Sequence, residues 1–152
     1  MCDVLYAIYQ NVYKEQFEYK QLNSRKKLQE AVYLLNNMGI GIGDYGFLWS
    51  VDGVYSLALD FDAKLNRDNT QQKVNFSPMA LDSFSKLNKL SEVDTDYSIV
   101  QWMCCLATAH YFKNVLQYNV DELPQILKER CNGFYSVETN LRAVHLISGI
   151  GE

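Results

Sequence analysis

The segment from Asp96 to about Gln117 constrains the fold more than any other, because it is apolar almost all the way round a helix. Ile99, Trp102, Met103, Leu106, Ala109 and His110 fall on one side, and Cys104, Cys105, Ala107 and Phe112 make the opposite side nearly as apolar. A helix without a polar face belongs at the centre of a protein, walled off from water by other elements. Asp94 or Asp96 stands where its N-cap is expected. With 152 residues the chain is long enough to supply that wall as one domain, burying ~70% of the surface its unfolded form exposes.

The walls are legible as periodic segments. Asp3 to about Glu18 sets Val4, Leu5, Ile8 and Val12 on one face, with Asp3 as N-cap. Ser24 to Met38 repeats the pattern with Leu28, Ala31, Val32 and Leu35, and Gly39 stands where a left-handed C-cap belongs. Gly39, Gly41 and Gly43 then break the chain, Phe47 to Ser50 reads as a short strand, and Val51-Asp52-Gly53 reads as a turn. A helix from Val54 to about Leu65 is expected to bury Val54, Ala58, Phe61 and Leu65. After a polar loop from Asn66 to Thr70 comes an expected strand, Gln71 to Phe76. Ser77-Pro78 then opens a helix carrying Met79, Leu81, Phe84, Leu87 and Leu90. Two more helices, Asp121 to about Cys131 and Ser136 to about Ile147, complete the chain. The expected class is mainly α (α+β). A winged-helix-like half with a short β-ribbon, residues 1–76, packs on a helical half, residues 77–152, within a single domain.

The winged-helix layout and its charges pull in opposite directions. A basic cluster, Arg25, Lys26 and Lys27, opens one helix, yet the helix that would enter a DNA groove carries Asp60 and Asp62. Carboxylates there face phosphates and oppose binding. Residues 39–70 hold five aspartates against Lys64 and Arg67, and the formal charge of the whole chain is −4. That balance argues against a general nucleic-acid coat and against adsorption to an anionic membrane. The chain has 11 tyrosines, and aromatic anchors ringed by charge are the usual anatomy of an interaction hot spot. The expected partner-binding set is therefore Asp44, Tyr45, Trp49, Asp52, Tyr55, Asp60 and Asp62, with Asp60 and Asp62 facing solvent. The rival set, for DNA, is Arg25, Lys26 and Lys27 with Lys73 on the Gln71–Phe76 wing. Three cations in a helix's first turn oppose its macrodipole, so the cluster invites an anionic partner.

Several motifs in this order are familiar. Arg25-Lys26-Lys27-Leu28-Gln29 is followed by Ala31-Val32-Tyr33-Leu34-Leu35, an aromatic strand, Asp52-Gly53-Val54-Tyr55-Ser56, and later Trp102 to Lys113. The series resembles the YwgA-like proteins of bacteria and archaea. In them a K-L-Q helix leads to a strand and a G-P-Y-S element, and the central helix starts from a tryptophan. Here Val54 stands in place of the family's proline. The K-L-Q helix is more distantly similar to the Panacea antitoxin domain, whose members neutralise toxins by protein contact. The resemblance implies a winged-helix-like N-terminal half, and by analogy a place in phage–host conflict.

Chemistry for catalysis is not legible. Cys104 and Cys105 point about 100° apart on a helix, and Cys2 and Cys131 are isolated. None forms a CxxC pair, and neither His110 nor His145 has a metal-ligand spacing. All four cysteines are expected to be reduced, buried thiols, and both histidines to be buried beside a hydroxyl or carbonyl. No nucleophile, base and oxyanion donors fall together, and Gly39-Ile40-Gly41-Ile42-Gly43 lacks the spacing of a phosphate loop. No apolar run reaches the ~20 residues of a membrane span, and Met1-Cys2-Asp3 does not open a signal peptide. The expectation is a cytoplasmic, non-enzymatic regulator or inhibitor without cofactor or metal. It would act on another protein, such as a toxin or a nucleic-acid-binding enzyme. A DNA-binding transcriptional regulator is the alternative, and a homodimer stays open.

Overall fold

The computed structural model describes residues 4–66 and 73–150. Among these are seven helices and one antiparallel hairpin: α1 (Leu5–Tyr13), α2 (Leu22–Asn37), β1 (Leu48–Ser50), β2 (Gly53–Tyr55), α3 (Leu57–Leu65), α4 (Pro78–Ser91), α5 (Ile99–Asn114), α6 (Leu123–Arg130) and α7 (Val137–Ile147). The fold is mainly α with a small β-ribbon.

Helix α5 occupies the centre, as its composition demands. Ten of its residues are buried, and it packs against α2, α4, α6, α7 and β2. Trp102 is 1% exposed, and its indole N–H donates to the Leu90 carbonyl at 2.8 Å. The helix starts later than expected: Ser98, rather than Asp94 or Asp96, is the N-cap, accepting from the Gln101 amide at 3.2 Å. Ile99 faces water.

The α2 face is as expected, with Leu28, Ala31, Val32 and Leu35 all buried. Gly39 ends the helix at φ +90°, and the Ile40 amide reaches back to the Leu35 carbonyl at 3.1 Å, a Schellman-type closure. Helix α1 stops at Tyr13, short of Glu18, because Lys14 turns left-handed at φ 58°. The loop after it still contributes to the core through Phe17, packed on Tyr6 and Tyr9. Asp3, the expected cap, lies outside the described residues.

Two corrections concern the segment before α4. Val54 belongs to a strand, not a helix: β2 pairs with β1 through Trp49↔Val54, and α3 begins only after Ser56, its N-cap. Of the expected strand Gln71–Phe76, positions 71 and 72 lie outside the described residues, and Lys73 to Phe76 are irregular. The ribbon is the β1–β2 hairpin, ahead of α3. Ser77 and Pro78 do open α4, with the Ser77 hydroxyl accepting from the Ala80 amide at 3.1 Å. The buried face of α4 is Ala80, Ser83, Phe84 and Leu87, which leaves Met79 and Leu81 exposed.

In the C-terminal half one amide ties three elements together. Asn140, fully buried on α7, donates to the Pro124 and Phe134 carbonyls at 3.0 Å each and accepts from the Tyr97 hydroxyl at 2.7 Å. No helix among the described residues is long and apolar enough to cross a membrane.

Candidate functional site

Helix α3 is apolar on two opposite sides, and only one side is used by the fold. Leu59 and Ala63 are buried, whereas Leu57, Phe61 and Leu65, at i, i+4 and i+8, are 74%, 56% and 63% exposed. The expected inward stripe of Ala58, Phe61 and Leu65 is thus the outward one. The reason lies in the start of the helix: with Val54 in a strand, the chain enters α3 through Ser56, and Leu59 takes the inward position. On the hairpin, Leu48, Val51 and Tyr55 are exposed as well.

The expected partner set divides accordingly. Asp44, Asp52 and Tyr55 are exposed, while Tyr45 and Trp49 are half-buried. Trp49 packs edge-on against Phe112 with ring centroids 4.9 Å apart, so it is more core edge than anchor. Asp60 and Asp62, expected in solvent, are both half-buried, and Asp60 accepts from the Tyr19 hydroxyl at 3.2 Å. The exposed residues of α3 are Leu57, Ala58, Phe61, Lys64 and Leu65.

The basic set divides as well. Because α2 starts at Leu22, Arg25 to Lys27 lie beyond its first residues. Lys27 is no surface cation: it is 7% exposed, pairs with Glu15, and rests over the rings of Tyr9 and Tyr13 at 5.4 and 4.7 Å. Its charge is spent on Glu15, whose carboxyl is held below the ordinary range by hydrogen bonds from Lys27 and Tyr9. Arg25 stacks over Tyr19 at 5.1 Å, and Lys26 is half-buried. Lys73 is exposed on an irregular segment.

What sequence reasoning missed is that both sets meet at one cavity. A hollow of about 380 Å³ between α2 and the hairpin is lined by Arg25 and Lys26 from one set and by Asp52, Tyr55 and Asp60 from the other. Gln29 and Glu30 complete it. Gln29 is a clamp: its amide donates to the Ser56 carbonyl at 2.9 Å and accepts from the Ser56 amide at 2.8 Å. Ser56 in turn donates to the Tyr45 carbonyl at 2.6 Å and caps α3 through the Leu59 amide at 3.2 Å. Two residues of the quoted motifs, Gln29 and Ser56, are therefore one joint holding α2, the hairpin and α3 together.

Glu30 is 3% exposed, and burial pushes its carboxyl pKa well above the usual value. The Cys104 thiol lies against it and donates to the Asp52 carbonyl at 3.7 Å. Burial pushes that thiol up too. Gly53, at φ +109°, sits so close that a Cβ there would lie 2.6 Å from Cys104 Sγ. Cys104, expected to be buried, is half-buried, and Cys105 and Cys131 are buried; all three are free thiols, and Cys2 lies outside the described residues.

His110 is buried, with Nδ1 2.9 Å from the Tyr33 hydroxyl. His145, expected to be buried, faces solvent. Among the described residues no group of three His, Cys, Asp or Glu is placed to hold a metal ion. No protein-family model, curated protein or solved structure matches this chain.

Proposed function

We propose that the protein is a non-enzymatic, protein-binding regulator or inhibitor that occupies its partner's surface with the outer side of α3 and the hairpin. One observation carries the reading: Leu57, Phe61 and Leu65 form a continuous outward stripe on a helix that already has an inward one. Exposed apolar residues in a contiguous patch, rimmed by polar groups, mark interaction sites more often than they mark nothing. Asp44 and Asp52 are exposed carboxylates, which suit a partner with basic margins, such as a toxin or an enzyme with a nucleic-acid groove. The antitoxin-like and counter-defence setting suggested by the resemblance agrees with this mode of action, and the cytoplasm is the compartment it calls for. DNA binding finds less support, because Lys27 is committed to the core and few cations remain for phosphates.

The test places a photo-crosslinking residue at position 61 and, as a control, at exposed position 146, in the cells that make the protein. A protein adduct at 61 that is absent at 146, and lost in the Leu57→Ser variant, supports the reading. A self-adduct would assign the stripe to a homodimer instead. A complex with DNA whose affinity falls linearly in log salt would favour the transcriptional regulator.

A further inference from the structure

The turn between α6 and α7 holds the one Asn-Gly pair of the sequence, Asn132-Gly133. The fold itself demands glycine at 133. Its φ is +90°, a region that residues with a side chain rarely enter, and a Cβ there would collide with Gln101 Nε2. Gln101 uses that space to donate to the Gly133 carbonyl at 3.2 Å. The residue after Asn132 is thereby fixed as the one that shields its own amide nitrogen least.

Both groups that could react with each other stand open. Asn132 and Gly133 are exposed, and among the described residues neither the Asn132 carboxamide nor the Gly133 N–H makes a hydrogen bond. Other asparagines are restrained. Asn36 donates to the Gly43 carbonyl, Asn88 to the Val12 carbonyl and Asn140 to those of Pro124 and Phe134, and a bulkier residue follows each in the chain.

We propose that Asn132 is a self-modifying site, converted to aspartate and isoaspartate by its own main chain with water as co-reactant. The Gly133 nitrogen bonds to the side-chain carbonyl carbon of Asn132, the carboxamide C–N bond breaks, and ammonia leaves carrying the proton that nitrogen gives up. Water then opens the five-membered imide. Addition at the side-chain carbonyl leaves aspartate; addition at the main-chain carbonyl leaves isoaspartate, in which the chain continues through the side chain. Either product adds a negative charge to an exposed turn, but isoaspartate also lengthens the main chain by one methylene.

That methylene falls where three helices are joined. Next to it the Gly133 carbonyl accepts from Gln101 of α5, and the Phe134 carbonyl accepts from Asn140 of α7 at 3.0 Å. Phe134 is buried and stacks on Tyr97 with ring centroids 6.0 Å apart. A longer chain cannot keep all of these contacts in register, so the isoaspartyl form is the less stable one. The mark accumulates with the age of the molecule and needs no protein partner.

The test incubates the full folded chain in mildly alkaline buffer beside a synthetic peptide of residues 129–136, with peptide mapping by mass spectrometry and methylation by a protein-isoaspartate methyltransferase as readouts. Both products should appear at Asn132 ahead of every other asparagine, at a rate within about tenfold of the peptide's, since no local opening has to come first. A slower rate would show that the fold shields the pair and would overturn the site. Asn132→Gln, which would have to close a larger ring, should fold normally and stay unmarked; marking of that variant would place the chemistry elsewhere. The purified isoaspartyl form should melt below freshly made Asn132→Asp protein, which carries the charge without the methylene. Equal melting temperatures would overturn the loss of stability assigned to the turn.

Discussion

Helices α5 and α3 are both apolar on opposite sides, and only α5 is buried on both. The difference lies in their neighbours. Helix α5 is enclosed by α2, α4, α6, α7 and β2, so every apolar side chain finds a wall. Helix α3, nine residues long, is held by α2, by the Gln29–Ser56 clamp and by the Tyr6 hydroxyl on the Ala63 carbonyl at 3.0 Å, all on its inner side. Periodicity counts the apolar stripes of a helix; it does not count the surfaces available to cover them. A second stripe left without a surface is where a partner becomes the natural explanation.

The comparison breaks most readily at α5. Trp102→Ala should cost ~3–5 kcal/mol, enough to unfold a domain of ordinary stability. An unchanged urea midpoint would show that α5 is not enclosed as described.

On α3 the inner stripe should behave like α5. Leu59→Ala is expected to cost ~2–5 kcal/mol, since Leu59 is fully buried. A loss under ~1 kcal/mol would mean that α3 is only loosely attached on both sides.

The polar interior of α5 sharpens the contrast through pH. Burial, reinforced by Lys113, pushes the His110 pKa down from its ordinary 6.5 to about 4. The unfolded chain therefore takes up a proton at a higher pH than the folded one. Stability is complete above pH 6.5, and up to about 3 kcal/mol of it is lost as the pH falls to 4. Denaturant titrations across that window should show the decline in the wild type and a flatter profile in His110→Gln.

The smallest effect is expected on the outer stripe. Phe61→Ser should change stability by no more than ~0.5 kcal/mol while removing the adduct-forming contact. A large destabilisation would place Phe61 in the core after all and cancel the difference between the two helices.

What the sequence made legible follows from range. The faces of α2 and α5, the Gly39 stop, the Ser77-Pro78 start and the hydroxyl beside His110 all rest on local pattern or on plain burial. The α3 phase was harder, because Val54 and Phe61 share helical spacing, yet Val54 is buried as part of β2. Lys27 looked like a surface cation because Glu15, Tyr9 and Tyr13 come to it from α1 and the loop beyond. The cavity was invisible for the same reason. Arg25 and Asp52 are distant in sequence, and the Gln29–Ser56 joint helps bring their segments face to face. Pairings of that kind leave no periodic trace.

The close seat of Gly53 on Cys104 gives the molecule a clock of its own. A thiol reacts as its thiolate, and burial under the hairpin turn keeps Cys104 protonated. Alkylation at this sulfur is therefore slow while the turn is seated and speeds up when it lifts, so its rate responds to opening of the hairpin while the remaining helices stay folded. Read by mass spectrometry, that single rate separates local breathing at the ribbon from global unfolding, with Cys105 and Cys131 as the deeper, slower hands.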